Sequence, residues 1–179
     1  MTGRRSDAER NREKILVAAR GLDGSALRLN EVAHEAGVGV GTVYRHFPTV
    51  HALQEALSER TLLRLRDLAR QAAGIPDAGE ALAAFLGWAL ALQLEDGGLK
   101  TVLVSLADED TEVTAVKREI LESFGAVFDR ARATGAVRPE LTVGHLQNLV
   151  CGIEAAVRLG SPADRELLLD VLVSGVRPA

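Results

Sequence analysis

Four side chains between residues 40 and 47 have the chemistry needed to contact nucleic acid. They are Thr42, Tyr44, Arg45 and His46. Hydroxyl, phenol, guanidinium and imidazole groups hydrogen-bond to phosphate oxygens and to base edges. Val43 and Phe47 are spaced four apart and share one face of a helix, so we expect them to point inward. The four polar side chains are then left on the outward face.

These residues belong to a longer pattern, from Leu29 to Phe47, that predicts a helix-turn-helix. A helix at about 29–36 is followed by a helix at about 40–47, and Gly37 supplies the positive φ of the turn. Ala33 is small where the two helices would cross. In such a motif the second helix enters the major groove of DNA.

Helical periodicity dominates the remaining sequence, and alternating strand patterns are few. We therefore predict an all-α protein of about nine helices. Glycine and proline punctuation places the helices at about 7–21, 29–36, 40–47, 49–73, 77–95, 99–106, 112–134, 142–159 and 162–175. We assign 1–51 to a three-helix DNA-binding domain and 52–179 to a helical regulatory and dimerisation domain.

The charge distribution supports this division. Residues 1–51 carry 8 Lys and Arg against 6 Asp and Glu, whereas residues 52–179 carry 13 against 19. Only the first segment is suited to a phosphate backbone. There is no apolar leader and no apolar run long enough to cross a membrane, so we expect a cytoplasmic protein without a membrane partner.

Motifs of catalysis and cofactor binding are missing from the sequence. It contains no nucleophile elbow and no paired-histidine zinc motif. Cys151 and His145 are six apart and would lie on different helix faces. The glycines at 37, 39 and 41 lack the spacing of a dinucleotide loop and follow no strand. We predict a protein that is not an enzyme and that needs no cofactor or metal.

The segment AGVGVGTVYRHFPT (residues 36–49) and the Ala-Leu pair after it resemble the signature of the tetracycline-repressor (TetR) family. The residues that carry the resemblance are Val32-Ala33, Ala36-Gly37-Val38, Gly41-Thr42-Val43-Tyr44 and Phe47. The Ile15-Leu16 and Ala18-Ala19 pairs resemble the first-helix motif of the family. The resemblance is dense over residues 10–57 and only architectural beyond them.

The resemblance implies a DNA-binding surface in this chain. It places Thr42 and Tyr44 on phosphates and Arg45 and His46 beside the DNA, with Thr49 next to them. Arg4 and Arg5 are either a DNA-contacting arm or a solvated tail.

Three features depart from the family pattern. Gly39 stands where a hydroxyl residue often caps the recognition helix. Val50 replaces a basic residue that is usual early in the fourth helix. The segment between Ile15 and Val32 is shorter than usual. Gly39 offers no hydroxyl to a phosphate, and Val50 removes one expected phosphate contact. The shorter segment implies that the first helix or its connection to the second is truncated.

The last two helices carry small and apolar faces that predict a homodimer interface. Its expected residues are Leu149, Gly152, Ile153, Ala156, Leu168, Val171 and Leu172. Two such helices from each subunit would form a four-helix contact. The alternative is that these faces only complete the core of the monomer.

A small-molecule effector would bind among the helices of residues 77–134 and the penultimate helix. The candidate lining residues are Phe85, Trp88, Leu92, Phe124, Phe128, Gln147, Cys151 and Glu154. The aromatic residues are equally consistent with a plain core. Glu154 can bind a cationic ligand, pair with Arg158 one turn later, or face solvent.

The function predicted from these features is a transcriptional regulator of the repressor kind. It would bind a palindromic operator in double-stranded DNA as a homodimer and be released by an unidentified small molecule. The alternative is a dimeric ligand-binding or protein-binding relative that has weakened or lost DNA binding. The shortened first segment and Val50 are the features that support this alternative.

Overall fold

A computed structural model describes residues 2–22 and 27–178, with the side chains described from residue 7 onward. Within these residues all regular structure is helical. The α-helices are α1 (Thr2–Arg20), α2 (Leu29–Glu35), α3 (Val40–His46), α4 (Val50–Ala73), α5 (Ala78–Glu95), α6 (Leu99–Val104), α7 (Thr111–Ala133), α8 (Val143–Leu159) and α9 (Arg165–Val176). The all-α prediction of about nine helices is confirmed. None of the described helices is long and apolar enough to cross a membrane.

The chain divides into two compact units. The first contains residues 1–60 and 96–114, and the second contains residues 61–95 and 115–179. Residues 96–114, which hold α6 and the acidic loop after it, are thus grouped with the N-terminal helices. The predicted functional boundary between residues 51 and 52 stays a prediction.

The first unit is built around an apolar core to which α1, α2, α3 and α4 all contribute. Its central residues are Ile15, Leu16, Ala19, Leu29, Val32, Ala33, Val43, Phe47 and Leu53. Val43 and Phe47 are buried, as their spacing predicted, and they hold α3 against α1 and α2. A helix of seven residues is not stable alone, so this packing is what keeps α3 folded.

The turn between α2 and α3 depends on the backbone conformation of Gly37. Its φ is +62°, in the left-handed region that disfavours side chains. The Gly37 N–H donates to the carbonyl of His34 (3.2 Å), and the Val38 N–H donates to the carbonyl of Ala33 (3.1 Å). This pair of bonds is a Schellman motif, which satisfies the last carbonyls of α2 and directs the chain into α3.

In the second unit, α8 packs against α5 and α9. Thr142 caps α8 by accepting from the His145 N–H (3.2 Å), and His145 Nδ1 accepts from the Thr142 N–H (3.3 Å). Gly135, with φ +70°, ends α7 in the same way that Gly37 ends α2. The second unit is therefore assembled by helix packing with well-satisfied helix ends.

Two helix boundaries differ from the prediction by more than two residues. Helix α1 begins at Thr2 instead of near residue 7. Residues 2–6 contain no proline that would interrupt the helix. The last helix begins at Arg165, after a 3₁₀ turn at Pro162–Asp164. Ser161 accepts from the Ala163 N–H (3.2 Å), and Asp164 accepts from the Ser161 N–H (3.2 Å), which closes that tight turn before α9 starts.

Two glycine substitutions separate backbone strain from helix propensity in this motif. Gly37→Ala is expected to lower the free energy of unfolding by about 1–2 kcal/mol, because alanine disfavours the left-handed conformation. Gly41→Ala is the matched control. Gly41 lies inside α3, its added Cβ would have no heavy atom within 4 Å, and alanine should stabilise the helix by about 0.5–1 kcal/mol. Chemical denaturation followed by circular dichroism measures both. Equal effects of the two substitutions would contradict this account of the turn.

Candidate functional site

Helix α3 presents a polar face to solvent. Tyr44 is 49% exposed, Arg45 is exposed, and Thr42 and His46 are half-buried. Val43 and Phe47 lie on the opposite, buried face. The four side chains that the sequence assigned to DNA contact therefore lie on one helix whose orientation is set by its apolar side.

Arg45 is folded back along its own helix. Its Nε donates to the carbonyl oxygen of Gly41 (3.0 Å), and its Nη2 donates to Thr42 Oγ1 (3.4 Å). This arrangement aligns the guanidinium with the Thr42 hydroxyl, so both groups can serve one phosphate. To reach a base edge instead, the guanidinium would have to leave the Gly41 carbonyl.

Thr49 is the N-cap of α4. Its Oγ1 accepts from the Ala52 N–H (3.0 Å) and donates to the Glu109 carboxylate (2.7 Å). The Thr49 hydroxyl therefore already donates one hydrogen bond and accepts another. Contact between Thr49 and a phosphate would require the Glu109 carboxylate to move away, because two anions would otherwise share one donor.

A concave surface of about 540 Å³ lies between the start of α2 and the end of α3. Its lining includes Tyr44, Thr49 and Arg28, whose side chain is 78% exposed and lies 3.4 Å from Glu31. Sequence reasoning missed Arg28. The available signal was a basic residue directly before the first apolar position of the predicted α2, which places a cation at the edge of the recognition surface.

A second cation is held against α3 by an aromatic ring. The guanidinium carbon of Arg12 lies 5.5 Å from the centroid of the Phe47 ring, within the range of a cation–π contact. Arg12 thereby connects α1 to the end of the recognition helix. The side chains of Arg4 and Arg5, predicted as an arm, lie outside the described residues.

The predicted effector-pocket residues all belong to the second unit, where most of them are buried. The rings of Phe85 and Phe124 stack with centroids 4.4 Å apart, and Leu92 and Phe128 are buried. Trp88, Gln147 and Cys151 are half-buried. A separate concave surface of about 490 Å³ in this unit is lined by none of them, and includes Arg130, Glu80 and Arg177.

Glu154 is buried, at 2% exposure, and forms an ion pair with Arg158 one turn later. Arg158 also donates from Nη2 to the backbone carbonyls of Gln93 (2.8 Å) and Leu94 (3.1 Å) at the end of α5. Of the three roles open to Glu154, pairing with Arg158 is confirmed and facing solvent is wrong. A buried carboxylate needs a cationic partner, and Arg158 supplies it. Because Arg158 also contacts the end of α5, the pair joins α8 to α5.

The predicted dimer residues are divided between the surface and the interior of the chain. Leu149 and Val171 are exposed hydrophobic residues, at 43% and 59%, and Gly152 and Ala156 are exposed beside Leu149 on α8. Ile153 and Leu168 are half-buried, and Leu172 is buried at 6% within its own chain. Two further residues with the same character are Leu159 and Leu167, at 89% and 64%.

Two family models match the chain. Residues 15–57 match the model described as bacterial regulatory proteins of the tetR family, and residues 77–178 match that of the transcriptional regulator SbtR-like C-terminal domain. A curated relative, the HTH-type transcriptional regulator SAR0097 of Staphylococcus aureus (strain MRSA252), is 39% identical over 62 residues. That alignment covers 32% of this chain and 32% of the relative.

Solved structures extend the similarity over the whole fold. The TetR transcriptional regulator SCO0520 of Streptomyces coelicolor is 32% identical, with a TM-score of 0.54, 94% of this chain covered and 99% of that chain. FadR of Bacillus subtilis, solved in complex with stearoyl-CoA, is 18% identical, with a TM-score of 0.57 and coverages of 92% and 99%. The second likeness shows a shared fold alone.

Proposed function

Because this chain belongs to the TetR family of transcriptional regulators, we propose that it binds a palindromic DNA operator as a homodimer and represses transcription until a small molecule releases it. The observation that carries the DNA-binding part is the outward polar face of α3. Two such helices, one from each subunit, would enter successive major grooves about 34–36 Å apart.

In this proposal Tyr44, Thr42 and Arg45 contact phosphates and base edges, and His46 lies beside them. Arg28 adds a cation at the edge of the same surface, next to Tyr44. The main role of Thr49 is to cap α4. Arg4 and Arg5 extend the contact with DNA from the start of α1. Val50 carries no charge where a basic residue is usual. Arg28 therefore supplies a positive charge on this side of the motif.

Two substitutions test the interface. Tyr44→Phe removes one hydroxyl and is expected to weaken binding to DNA from the region upstream of the protein's own gene by about 1–2 kcal/mol, or about 5–30-fold. Arg28→Ala is expected to weaken binding to all sequences and to reduce the salt dependence by about one phosphate contact. Fluorescence anisotropy at several salt concentrations measures both effects.

Arg118→Ala is the control, since Arg118 is exposed on α7 in the other unit. Wild-type protein that binds this DNA no better than unrelated DNA would overturn the proposal and favour the relative without DNA binding. Unchanged binding by both Tyr44→Phe and Arg28→Ala would place the interface elsewhere.

The dimer is proposed to form through the exposed apolar face of α8 and α9. Leu149, Leu167 and Val171 supply the large side chains of this face, and Gly152 and Ala156 let two helices approach closely. Exposed apolar residues grouped on two adjacent helices are what an isologous contact requires. Leu172 would support the face from inside its own subunit.

The dimer surface is tested by placing a charge in its centre. Leu167→Glu should convert the protein to a monomer at micromolar concentration, because dimerisation would bury two unpaired carboxylates. Analytical ultracentrifugation gives the mass. Leu121→Glu is the matched control, since Leu121 is 53% exposed on α7 of the same unit. A Leu167→Glu protein that remains dimeric would disprove this interface.

The effector is proposed to bind among α5, α7 and α8, beside Trp88, Gln147 and Cys151. These residues are half-buried next to an apolar core, which is where a small molecule can add contacts by modest repacking. The structure of FadR with stearoyl-CoA makes apolar ligands a reasonable first class to test. Release would follow if the ligand binds better to a conformation that fits the operator poorly.

Trp88 is the only tryptophan of the chain and therefore reports on this region. Long-chain acyl-CoA and a set of small aromatic compounds can be screened by Trp88 fluorescence and thermal stability. An effector at this site is expected to change the fluorescence, raise the Tm and lower operator affinity at least about 5-fold. A compound that does the first two and leaves operator affinity unchanged would contradict the release mechanism.

A further inference from the structure

Three ligand-type atoms converge inside the first unit. His51 and Glu55 lie one turn apart on α4, and Asp108 comes from the segment between α6 and α7. His51 Nε2 is 3.1 Å from Glu55 Oε1 and 3.7 Å from Asp108 Oδ1, and the three ligand atoms all lie within 4.8 Å of one another. Asp108 is more than fifty residues away from His51 and Glu55 in the sequence, so the fold itself brings it to them.

The imidazole nitrogen in this cluster has an unused lone pair or proton. His51 Nε2 is buried and makes no hydrogen bond to any described residue. Its distance to Glu55 is short enough for an ion pair, but the angles are not those of a hydrogen bond. A cation placed among the three ligand atoms would give His51 Nε2 a partner and contact both carboxylates.

The carboxylate of Glu55 is already oriented. Glu55 is 2% exposed, and it accepts backbone N–H groups of Glu109 (2.8 Å) and Asp110 (3.2 Å), one through each oxygen. The backbone that carries Asp108 is therefore tied to α4 by the same side chain. Such support orients a ligating carboxylate in metal sites.

We propose that His51, Glu55 and Asp108 form a binding site for one divalent transition-metal ion such as Zn²⁺. Metal–ligand bonds of about 2.0–2.2 Å in tetrahedral geometry separate neighbouring ligand atoms by about 3.3–3.6 Å. The observed 3.1 and 3.7 Å lie close to this range. One imidazole and two carboxylates suit Zn²⁺, Co²⁺, Ni²⁺ and Mn²⁺, and three protein ligands leave a fourth position for water.

Charge also favours a cation at this position. Glu55 and Asp108 have side chains that are 2% and 6% exposed. The ligand oxygens of these two carboxylates lie within 4.8 Å of each other, and a cation between them offsets their mutual repulsion. A divalent metal ion supplies two positive charges at this position, whereas a protonated His51 supplies one.

The site lies next to the recognition helix, which gives it a regulatory consequence that rests on the proposed function. Helix α3 ends at His46 and α4 begins at Val50, so His51 is in the first turn after the DNA-contacting segment. A bound dication would fix that turn to the 108–110 segment and offset two negative charges near the phosphates. Operator affinity should therefore rise when the metal binds.

The test uses full-length protein treated with a chelator and then dialysed. Zn²⁺ titration by calorimetry should show one ion per chain and a higher Tm that the chelator reverses. Co²⁺ should develop the visible absorption of a bound N/O site. His51→Gln and Asp108→Asn should each lose at least about 100-fold in metal affinity, beyond the 10–100-fold typical of supporting residues. His34→Gln, at an exposed histidine of the same unit, should bind metal like wild type.

Operator affinity is then measured with and without Zn²⁺. A rise of at least about 5-fold in wild type that is lost in His51→Gln supports regulation by the metal. Metal binding with unchanged operator affinity would overturn the regulatory role and leave the site standing. No saturable binding of Zn²⁺, Co²⁺, Ni²⁺ or Mn²⁺, or equal binding by wild type and His51→Gln, would overturn the site.

Discussion

The recognition surface depends on the burial of two side chains, Val43 and Phe47. Both lie on one side of α3 and join the apolar core formed by α1, α2 and α4. They fix the rotation of the helix about its axis, so that Thr42, Tyr44 and Arg45 face outward. A seven-residue helix has too few internal hydrogen bonds to hold this orientation itself. DNA recognition by this protein is in that sense a product of the hydrophobic core beneath α3.

Most of the helices could be predicted from the sequence because their signals are local. Glycines at 37 and 135 have the positive φ expected of residues that stop a helix, and the spacing of Glu154 and Arg158 offered their pairing as one of three roles for Glu154. The first helix was placed too late because the polar, arginine-rich start carries no apolar periodicity. The 3₁₀ turn before α9 was missed because its reciprocal caps, at Ser161 and Asp164, also fit an ordinary helix start.

Contacts between distant segments could not be predicted in the same way. Glu55 and Asp108 are on different elements, and nothing in either neighbourhood indicates the other. Arg28 was overlooked because its importance comes from its position beside Tyr44, which requires the folded turn. The expected dimer residues also differ in burial. Val171 and Leu172 are neighbours in the sequence, but Val171 is exposed and Leu172 is buried. Local periodicity identifies a helix face without identifying which part of that face the rest of the chain covers.

In the proposed complex with DNA, Gly41 has a consequence for how operator preference can change over evolutionary time. It is exposed on α3, and a Cβ added there would meet no heavy atom within 4 Å beyond its neighbours and the backbone of its own helix. A substitution at this position can therefore introduce a new hydrogen-bonding group next to Thr42 and Arg45 without any repacking of the core. Most residues of a small helical unit are constrained by stability, but this one is free to vary at little cost. In the proposed complex with DNA, single mutations at this position can therefore change the target sequence and leave the fold intact.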